Sequence, residues 1–188
     1  MRSIVAAALA VLSGLAFGAD SVEARLAPCL ACHGEKGQSA NPGVPSLGAQ
    51  PAFYVTLQLF MFREKLRVVG PKNKMTQGLS DDDLRNMADY ISKLRPPRPV
   101  DGAADPARME QARALIEQHR CNFCHDRNYS GEQNVPRLAG QREDYLVKAL
   151  REFKNNTRRG YDASMADVLY PLTDEQILDL AYFLARYR

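Results

Sequence analysis

The amino-acid sequence predicts an all-α protein built from two tandem domains of similar size. Apolar residues recur at helical spacing, and no stretch alternates in the way that a half-buried strand would. The second half also repeats the first at an offset near 90 residues. This period is too long for a solenoid, whose repeats are usually about 20 to 50 residues. The repeat therefore predicts two whole domains.

The composition is that of an ordinary globular protein. The chain has 188 residues, of which 45% are apolar and 25% charged, and its formal net charge is +3. No basic run is long enough to indicate nucleic-acid binding. The four cysteines all lie in two C-x-x-C pairs, so no cysteine is left over.

The first 19 residues are predicted to be a signal peptide. Arg2 precedes an apolar run of 14 residues at positions 4–17, and small residues follow it. The run is shorter than the roughly 20 residues that a membrane span needs. We expect cleavage after Gly18 or Ala19 and a mature chain that works outside the cytoplasm, where exposed thiol pairs tend to oxidise.

A proline-rich linker separates the two predicted domains. Three prolines within residues 96–99 cannot continue a helix and favour an extended connector. We place the first domain at residues 20–95, the linker at 96–105 and the second domain at 106–188. Each domain has about 80 residues, a size that is marginally stable without a staple such as a metal or cofactor.

Each half is predicted to contain equivalent helices. A short helix leads into CLACH, and a longer one at 106–120 precedes CNFCH. Residues 52–67 and 143–154 form the next helix of each half. Two capping patterns, Ser80 with Asp83 and Thr173 with Gln176, begin the closing helices. The buried stripes of these closing helices have i, i+3, i+4, i+7 spacing and comprise Leu84, Met87, Ala88 and Ile91, and Ile177, Leu180, Ala181 and Leu184.

The motif C-x-x-C-H occurs once in each half, at residues 29–33 and 121–125. Two C-x-x-C pairs are also found in four-thiolate zinc sites, but a complete repeat separates these two pairs. A thioredoxin-like pair needs a βαβ context, and a simple disulfide explains neither the histidine nor the duplication. C-x-x-C followed by His is the attachment signature of c-type haem. The motif predicts two covalently bound haem c groups, with thioether bonds to Cys29 and Cys32, and to Cys121 and Cys124.

Methionine is the expected second axial ligand of each iron. His33 and His125 are the proximal ligands, and the third histidine, His119, lies too close to Cys121 to reach the opposite haem face. Met75 and Met165 occupy matching Gly-containing loops before the closing helices. Paired His/Met ligation fills both axial positions and raises the reduction potential. The other internal methionines are predicted to fill the core and are Met61, Met87 and Met109.

The sequence resembles class I c-type cytochromes, in particular the dihaem cytochrome c4 family and its monohaem c553-like relatives. The resemblance rests on both C-x-x-C-H motifs, on GVPSLGAQ and NVPRLAGQ, on the two methionines, and on the closing-helix segments LSDDDLRNMADYISKL and LTDEQILDLAYFLARY. It implies two tandem class I cytochrome c domains, each enclosing one covalently attached haem. It also implies that the carbonyls of Pro45 and Pro136 accept the Nδ1 protons of the proximal histidines. The sequence departs from the family pattern at Asp126, where glycine is frequent.

The resemblance implies a periplasmic carrier of single electrons rather than an enzyme. Its donor would be a cytochrome bc complex or a dehydrogenase and its acceptor a terminal oxidase or reductase, with membrane association through partners only. One alternative is a cytochrome subunit of a larger oxidoreductase. Another is a dihaem enzyme such as a peroxidase or thiosulfate dehydrogenase, although these need an open or displaceable axial position.

Basic side chains cluster before each methionine, with a local charge of +4 in residues 63–74 and again in residues 148–159. Two interpretations stay open at this point. The clusters either steer an acidic redox partner toward a haem edge or form solvated helix faces, in which one arginine pairs with a haem propionate.

Overall fold

The structure is a computed structural model that describes residues 21–158 and 163–188; the predicted signal peptide lies outside these ranges. Nine α-helices are present in the described residues. The helices of the first half are α1 (Val22–His33), α2 (Ala52–Arg63), α3 (Gly70–Thr76) and α4 (Asp81–Lys93). Those of the second half are α5 (Pro106–Gln118), α6 (Cys121–His125), α7 (Glu143–Lys154), α8 (Ser164–Leu169) and α9 (Asp174–Arg186).

The two halves pack their helices in the same way. In the first half α1 and α2 pack on the closing helix α4, while α3 packs on α2. In the second half α5 and α7 pack on the closing helix α9, while α8 packs on α7. The order α1, α2, α3, α4 therefore corresponds to α5–α6, α7, α8, α9. The described residues contain no strand, only an isolated bridge between Glu132 and Val135.

The closing helices form as the sequence predicts. At α4 the Ser80 hydroxyl accepts from the Asp83 N–H, and the Asp83 carboxylate accepts from the Ser80 N–H. Thr173 and Gln176 make the same reciprocal bonds at α9, and these caps satisfy N–H groups that lack a partner within the helix. Every residue of the two predicted stripes is buried, with at most 4% of its surface exposed.

Three helix predictions need correction. The helix predicted at 106–120 ends at Gln118, because Arg120 adopts a left-handed conformation (φ 53°) that separates α5 from α6. Helix α2 ends at Arg63 rather than at residue 67, and Lys65 beyond it has a positive φ of 57°. Met75 and Met165 lie in the short helices α3 and α8, not in loops.

The proline-rich linker packs against the second half. Pro97 is buried, and the Val100 N–H donates to the Ala185 carbonyl at the end of α9. Gly140 (φ 71°) lies so close to the linker that a Cβ atom would be 2.5 Å from the Pro97 carbonyl oxygen. A glycine is therefore required at this position. Of the helices described, none is long and apolar enough to cross a bilayer.

Polar groups from loops join the two halves. The Gly43 N–H donates to the Asp144 carboxylate (2.8 Å), and Arg142 Nη1 donates to the Ser39 carbonyl (3.1 Å). Two buried glutamines, Gln50 and Gln141, also bond to backbone groups of the opposite half. The contact between the halves thus depends on specific hydrogen bonds.

Candidate functional site

The structure places the two C-x-x-C-H motifs on equivalent helical turns. Cys29, Cys32 and His33 form the last turn of α1, whereas Cys121, Cys124 and His125 form α6. Positions i, i+3 and i+4 share one helix face, so the two thiols and the imidazole of each motif point in similar directions. None of the four cysteines forms a disulfide, and Cys32 and Cys124 are exposed. The described residues contain no group of three or more potential zinc ligands, so they offer no support for a shared four-thiolate site.

Both motif histidines are buried and held in a single orientation. His33 is 9% and His125 4% exposed. The Nδ1–H of His33 donates to the Pro45 carbonyl (2.7 Å), and that of His125 donates to the Pro136 carbonyl (2.9 Å). These are the bonds that the family resemblance implies. They fix the tautomer, so the lone pair of each imidazole lies on Nε2.

Burial also keeps the imidazoles neutral. Desolvation lowers the pKa of His33 to about 4, despite its bond to Pro45, and it lowers the pKa of His125. At His33 the Nε2 atom accepts from Lys72 Nζ (3.3 Å), which agrees with a lone pair on this nitrogen. A neutral imidazole with an available Nε2 is the form that binds iron. The histidines and the neighbouring thiols therefore fit the chemistry of a covalently attached haem.

The residue after each histidine makes a sharp turn. Gly34 has a φ of 86°, and a Cβ there would lie 2.0 Å from the Gln38 carbonyl oxygen. Asp126 occupies the matching position with a φ of 69°. Its carboxylate accepts from the Arg127 N–H (2.6 Å) and from the Ser130 hydroxyl (3.0 Å). These local bonds explain how aspartate replaces the glycine that is frequent in the family.

The two proposed methionine ligands have different surroundings. Met75 is 42% exposed on α3, whereas Met165 on α8 is partly buried and packs against the core of the second half. Asn73 anchors α3: its Oδ1 accepts from the Val69 N–H (2.6 Å), and its Nδ2 donates to the carbonyls of Phe62 (2.7 Å) and Arg67 (2.8 Å). The core role predicted for the remaining methionines is confirmed, since Met61 and Met87 are buried and Met109 packs against the core.

A cluster of aromatic and basic side chains, which we call the Tyr–Arg cluster, lies between the halves. It consists of Tyr54, Arg67, Tyr145 and Arg158, with Lys72 nearby. Arg158 Nη1 donates to the Tyr145 hydroxyl (3.0 Å). Arg67 Nη1 donates to Gln58 Oε1 (2.6 Å), and its guanidinium lies 4.9 Å from the centre of the Phe62 ring. The cluster thus draws on both domains.

The Tyr–Arg cluster carries more positive than negative charge. Burial and repulsion by Arg158 lower the pKa of Arg67. Burial would raise the pKa of Tyr145, but attraction to Arg158 and Arg67 outweighs burial and lowers it. Within the part of the chain that the structure describes, the carboxylate that pairs with Arg158 is that of Glu152, at 3.8 Å. Since buried cations are normally paired, this composition suits the binding of further carboxylates.

The cluster changes the interpretation of the two basic segments. Arg67, Lys72 and Arg158 lie partly or wholly inside the protein and face tyrosines, so they form neither a solvated face nor a steering surface. Among the described residues, Lys65, Lys74 and Lys148 are exposed and remain available to steer a partner. Local charge counting does not separate these two groups of side chains.

Four polar residues make contacts that no local pattern of the sequence indicates. Tyr54 and Tyr145 occupy equivalent positions of the internal repeat, and Gln50 and Gln141 end the repeated motifs GVPSLGAQ and NVPRLAGQ. A polar residue that recurs at the same place in both halves was the available signal. Its meaning depends on contacts between residues 87 or 95 positions apart, which a local pattern does not reveal.

Comparison with known proteins agrees with the geometry. The cytochrome c family model matches twice, at residues 24–95 and 109–187. The chain is 29% identical to cytochrome c4 from Azotobacter vinelandii, with 92% of each chain covered. It is 30% identical to a thiosulfate dehydrogenase electron acceptor from Thiomonas intermedia, covering 98% of this chain and 91% of the relative. The crystal structure of reduced cytochrome c4 from Pseudomonas stutzeri superposes with a TM-score of 0.79 at 28% identity, covering 89% of this chain and 97% of that one.

These matches confirm the predicted all-α fold with two tandem cytochrome c domains, and they confirm two covalently bound haem c groups as cofactors. The chain belongs to the cytochrome c family and is a dihaem electron carrier of the cytochrome c4 type.

Proposed function

We propose that the protein works in the periplasm as a shuttle of single electrons between redox proteins and has no enzymatic activity of its own. The observation that carries the proposal is the pair of buried, neutral imidazoles, each oriented by a proline carbonyl beside two thiols. The bound haem iron supplies the one-electron couple. The cysteines and histidines of the two motifs would hold the haems, and the proline carbonyls keep both imidazoles in a single orientation.

The proposed site residues divide into attachment and axial ligands. Cys29 and Cys32 attach the first haem, and Cys121 and Cys124 attach the second, through thioether bonds. His33 with Met75 would bind one iron, and His125 with Met165 would bind the other. With a histidine and a methionine bound, neither iron would have a position open to a substrate, which argues against a peroxidase or dehydrogenase activity.

We assign the Tyr–Arg cluster to the haem carboxylates. Arg67 and Arg158 supply positive charge, and the hydroxyls of Tyr54 and Tyr145 supply hydrogen-bond donors where the two halves meet. A guanidinium matches the planar geometry of a carboxylate better than an ammonium does. A cluster shared between the halves would hold a carboxylate from each haem and bring the two cofactors into electrostatic contact.

The substitution Arg158→Gln is expected to lower both reduction potentials, because it removes a buried positive charge that favours the reduced iron. We expect an effect on the order of 1 kcal/mol, or ~40 mV for a one-electron couple. Redox titration of the variant measures it. The matched control is the exposed Lys148, whose change to glutamine should leave both potentials within a few millivolts, on the order expected for a screened surface charge. Equal effects of the two substitutions would contradict a propionate-binding role.

The proposed partners are redox proteins on either side of the carrier. A cytochrome bc complex or a dehydrogenase would donate electrons, and a terminal oxidase or reductase would accept them. The relative from Thiomonas intermedia is named as an electron acceptor of thiosulfate dehydrogenase, which favours a thiosulfate-oxidising enzyme as one donor class.

The proposed mature chain starts after a signal peptide at residues 1–19 and has domains at 20–95 and 106–188, joined by the linker at 96–105.

Redox titration followed by optical spectroscopy tests the proposed function. We expect two one-electron transitions, together with the weak far-red band that a bond from methionine sulfur to ferric iron produces. The purified protein should also accept electrons from a thiosulfate-oxidising enzyme or a quinol-oxidising complex and pass them to an oxidase. High-spin iron combined with rapid turnover of peroxide or thiosulfate by the protein alone would instead identify an enzyme.

A further inference from the structure

A buried glutamine of the second half, Gln141, hydrogen-bonds to the peptide group that orients His33. The carbonyl of Pro45 accepts from His33 Nδ1–H (2.7 Å), and the N–H of the same peptide group, that of Ser46, donates to Gln141 Oε1 (2.8 Å). Gln141 Nε2 donates in turn to the Ser46 carbonyl (2.9 Å). A continuous chain of hydrogen bonds therefore runs from His33 through one peptide group to Gln141.

The other half contains the mirror arrangement. The carbonyl of Pro136 accepts from His125 Nδ1–H (2.9 Å), and the N–H of Arg137 donates to Gln50 Oε1 (3.0 Å). Gln50 Nε2 donates to the Arg137 carbonyl (3.0 Å). Each glutamine thus bonds to both backbone groups of one residue, and in each case this residue follows the proline that orients the histidine of the opposite domain.

Because these groups are buried, losing one of the hydrogen bonds leaves a polar group without a partner. Gln141 is 3%, Gln50 5% and Ser46 2% exposed, so water does not readily replace a lost partner. Gln141 Oε1 also accepts from the Arg142 N–H (3.0 Å), which fixes the amide further. A pair of surface side chains would exchange its bonds with solvent, whereas these amides hold one orientation.

We propose that Gln50 and Gln141 are cross-domain positioning residues, each of which tunes the reduction potential of the haem in the opposite half. Hydrogen bonds in a chain polarise one another. When Gln141 accepts from the Ser46 N–H, the Pro45 carbonyl oxygen becomes a stronger acceptor and draws more strongly on the His33 Nδ1 proton. The imidazole becomes a more basic ligand, which favours ferric iron and lowers the potential of the first haem.

The two halves depend on each other for the environment of their histidines. Each domain presents a complete set of axial ligands, but the hydrogen-bond chain behind its histidine ends in the other domain. Docking of the halves therefore sets both potentials, and a movement that separates Gln141 from Ser46 would raise the potential of the first haem. This inference rests on the proposed histidine ligation and adds a source of control that lies outside each domain.

The test replaces Gln141 by methionine, which has similar volume but cannot accept from the Ser46 N–H. At a fixed applied potential we expect the ratio of reduced to oxidised first haem to rise about threefold, or ~30 mV at 59 mV per tenfold. The second haem should be unaffected. Gln50→Met should give the converse result, with the second haem shifted and the first unchanged. The potentials are assigned by NMR, from haem methyl resonances that show contacts to residues of each half.

A second measurement follows the hydrogen bond from His33 Nδ1–H to the Pro45 carbonyl. In Gln141→Met the His33 Nδ1–H resonance should move upfield and exchange faster with solvent, while the His125 resonance stays in place. The exposed Gln111 on α5 offers the control Gln111→Met, which should change neither signal. Where the methionine variant is poorly folded, Gln141→Asn keeps the amide but is one methylene too short, and it should give the same shift of the first haem.

The crossed pattern is what distinguishes this inference from a structural role. If Gln141→Met and Gln141→Asn shift only the second haem, both haems equally or neither, the inference is overturned. The titration of the unsubstituted protein tests the proposed function separately, because two reversible one-electron transitions there stand regardless of the result for the glutamine variants.

Discussion

Replacing Cys29 and Cys32 together with alanine is expected to leave a chain that carries one haem and whose first half has lost its stable fold. The reason lies in the unequal cores of the two domains. The main core cluster of the first half contains six buried apolar residues, against fifteen in the second. A domain of about 80 residues with so small a core depends on a staple, and covalent haem attachment provides one.

The size of this effect should resemble the loss of other covalent staples. Removing a native disulfide from a small domain costs about 2–5 kcal/mol, often enough to abolish folding. Hydrogen exchange measured by mass spectrometry should show α1, α2 and α4 losing protection, while α5, α7 and α9 keep theirs. The haem content, measured from the alkaline pyridine spectrum, should fall to one per chain.

The matched control exchanges Cys121 and Cys124 for alanine. The second haem is lost in this variant, but the larger core, which includes Ile177, Leu180 and Phe183, should retain part of the protection of α5 and α9. The edge-to-face contacts of Tyr129 with Phe183 and Tyr187 add to that core. Equal loss of protection in both variants would show that core size does not govern the dependence on haem.

The closing helices were predictable because their signals are local. Ser80 with Asp83, Thr173 with Gln176 and the apolar stripes behind them all lie within a few residues of one another. The bounds predicted for α7, residues 143–154, also match the structure. In these segments the capping pattern, the helical period and the tertiary packing all favour the same conformation.

The helix around Met75 was missed because a side chain from within the segment stabilises it. Gly70 and Pro71 suggest a loop, yet Asn73 bonds to Val69, Phe62 and Arg67 and closes a short helix around itself. Similarly, the left-handed Arg120 breaks the segment before CNFCH without any glycine or proline to signal it. The bonds of Asn73 show how specific contacts override local propensity.

The sequence predicts the individual residues proposed to bind the haems, but it does not predict the residues that surround them. Spacing identifies Cys29, Cys32 and His33 because the chemistry of haem attachment requires neighbours on one helical turn. Gln141 and Tyr145 act on groups of the other half, and no periodicity within one domain indicates such contacts. The duplication shows only that Gln141 and Tyr145 recur at equivalent positions of the two halves. The structure identifies the groups that they contact.

Replacing each proposed methionine ligand by alanine should open one iron at a time. We expect Met75→Ala and Met165→Ala each to remove about half of the far-red absorbance, to convert one haem to a high-spin or water-bound form, and to lower its potential. Axial ligands set haem potentials over a range of about 0.8 V, so a loss on the order of 100 mV or more is reasonable. Each opened haem should also react with peroxide, which the unsubstituted protein should not do.

The two variants should differ in protein stability, and this difference separates ligation from packing. Met75 is 42% exposed, so Met75→Ala removes few core contacts. The packing contribution of this side chain to the free energy of unfolding should therefore be less than about 0.5 kcal/mol. Met165 packs against the core of the second half, and its loss should cost a further ~1–3 kcal/mol. Met109 packs against the same core and provides the control. Met109→Ala should reduce stability but keep the full far-red band, and a band that survives in Met75→Ala or Met165→Ala would refute that ligand.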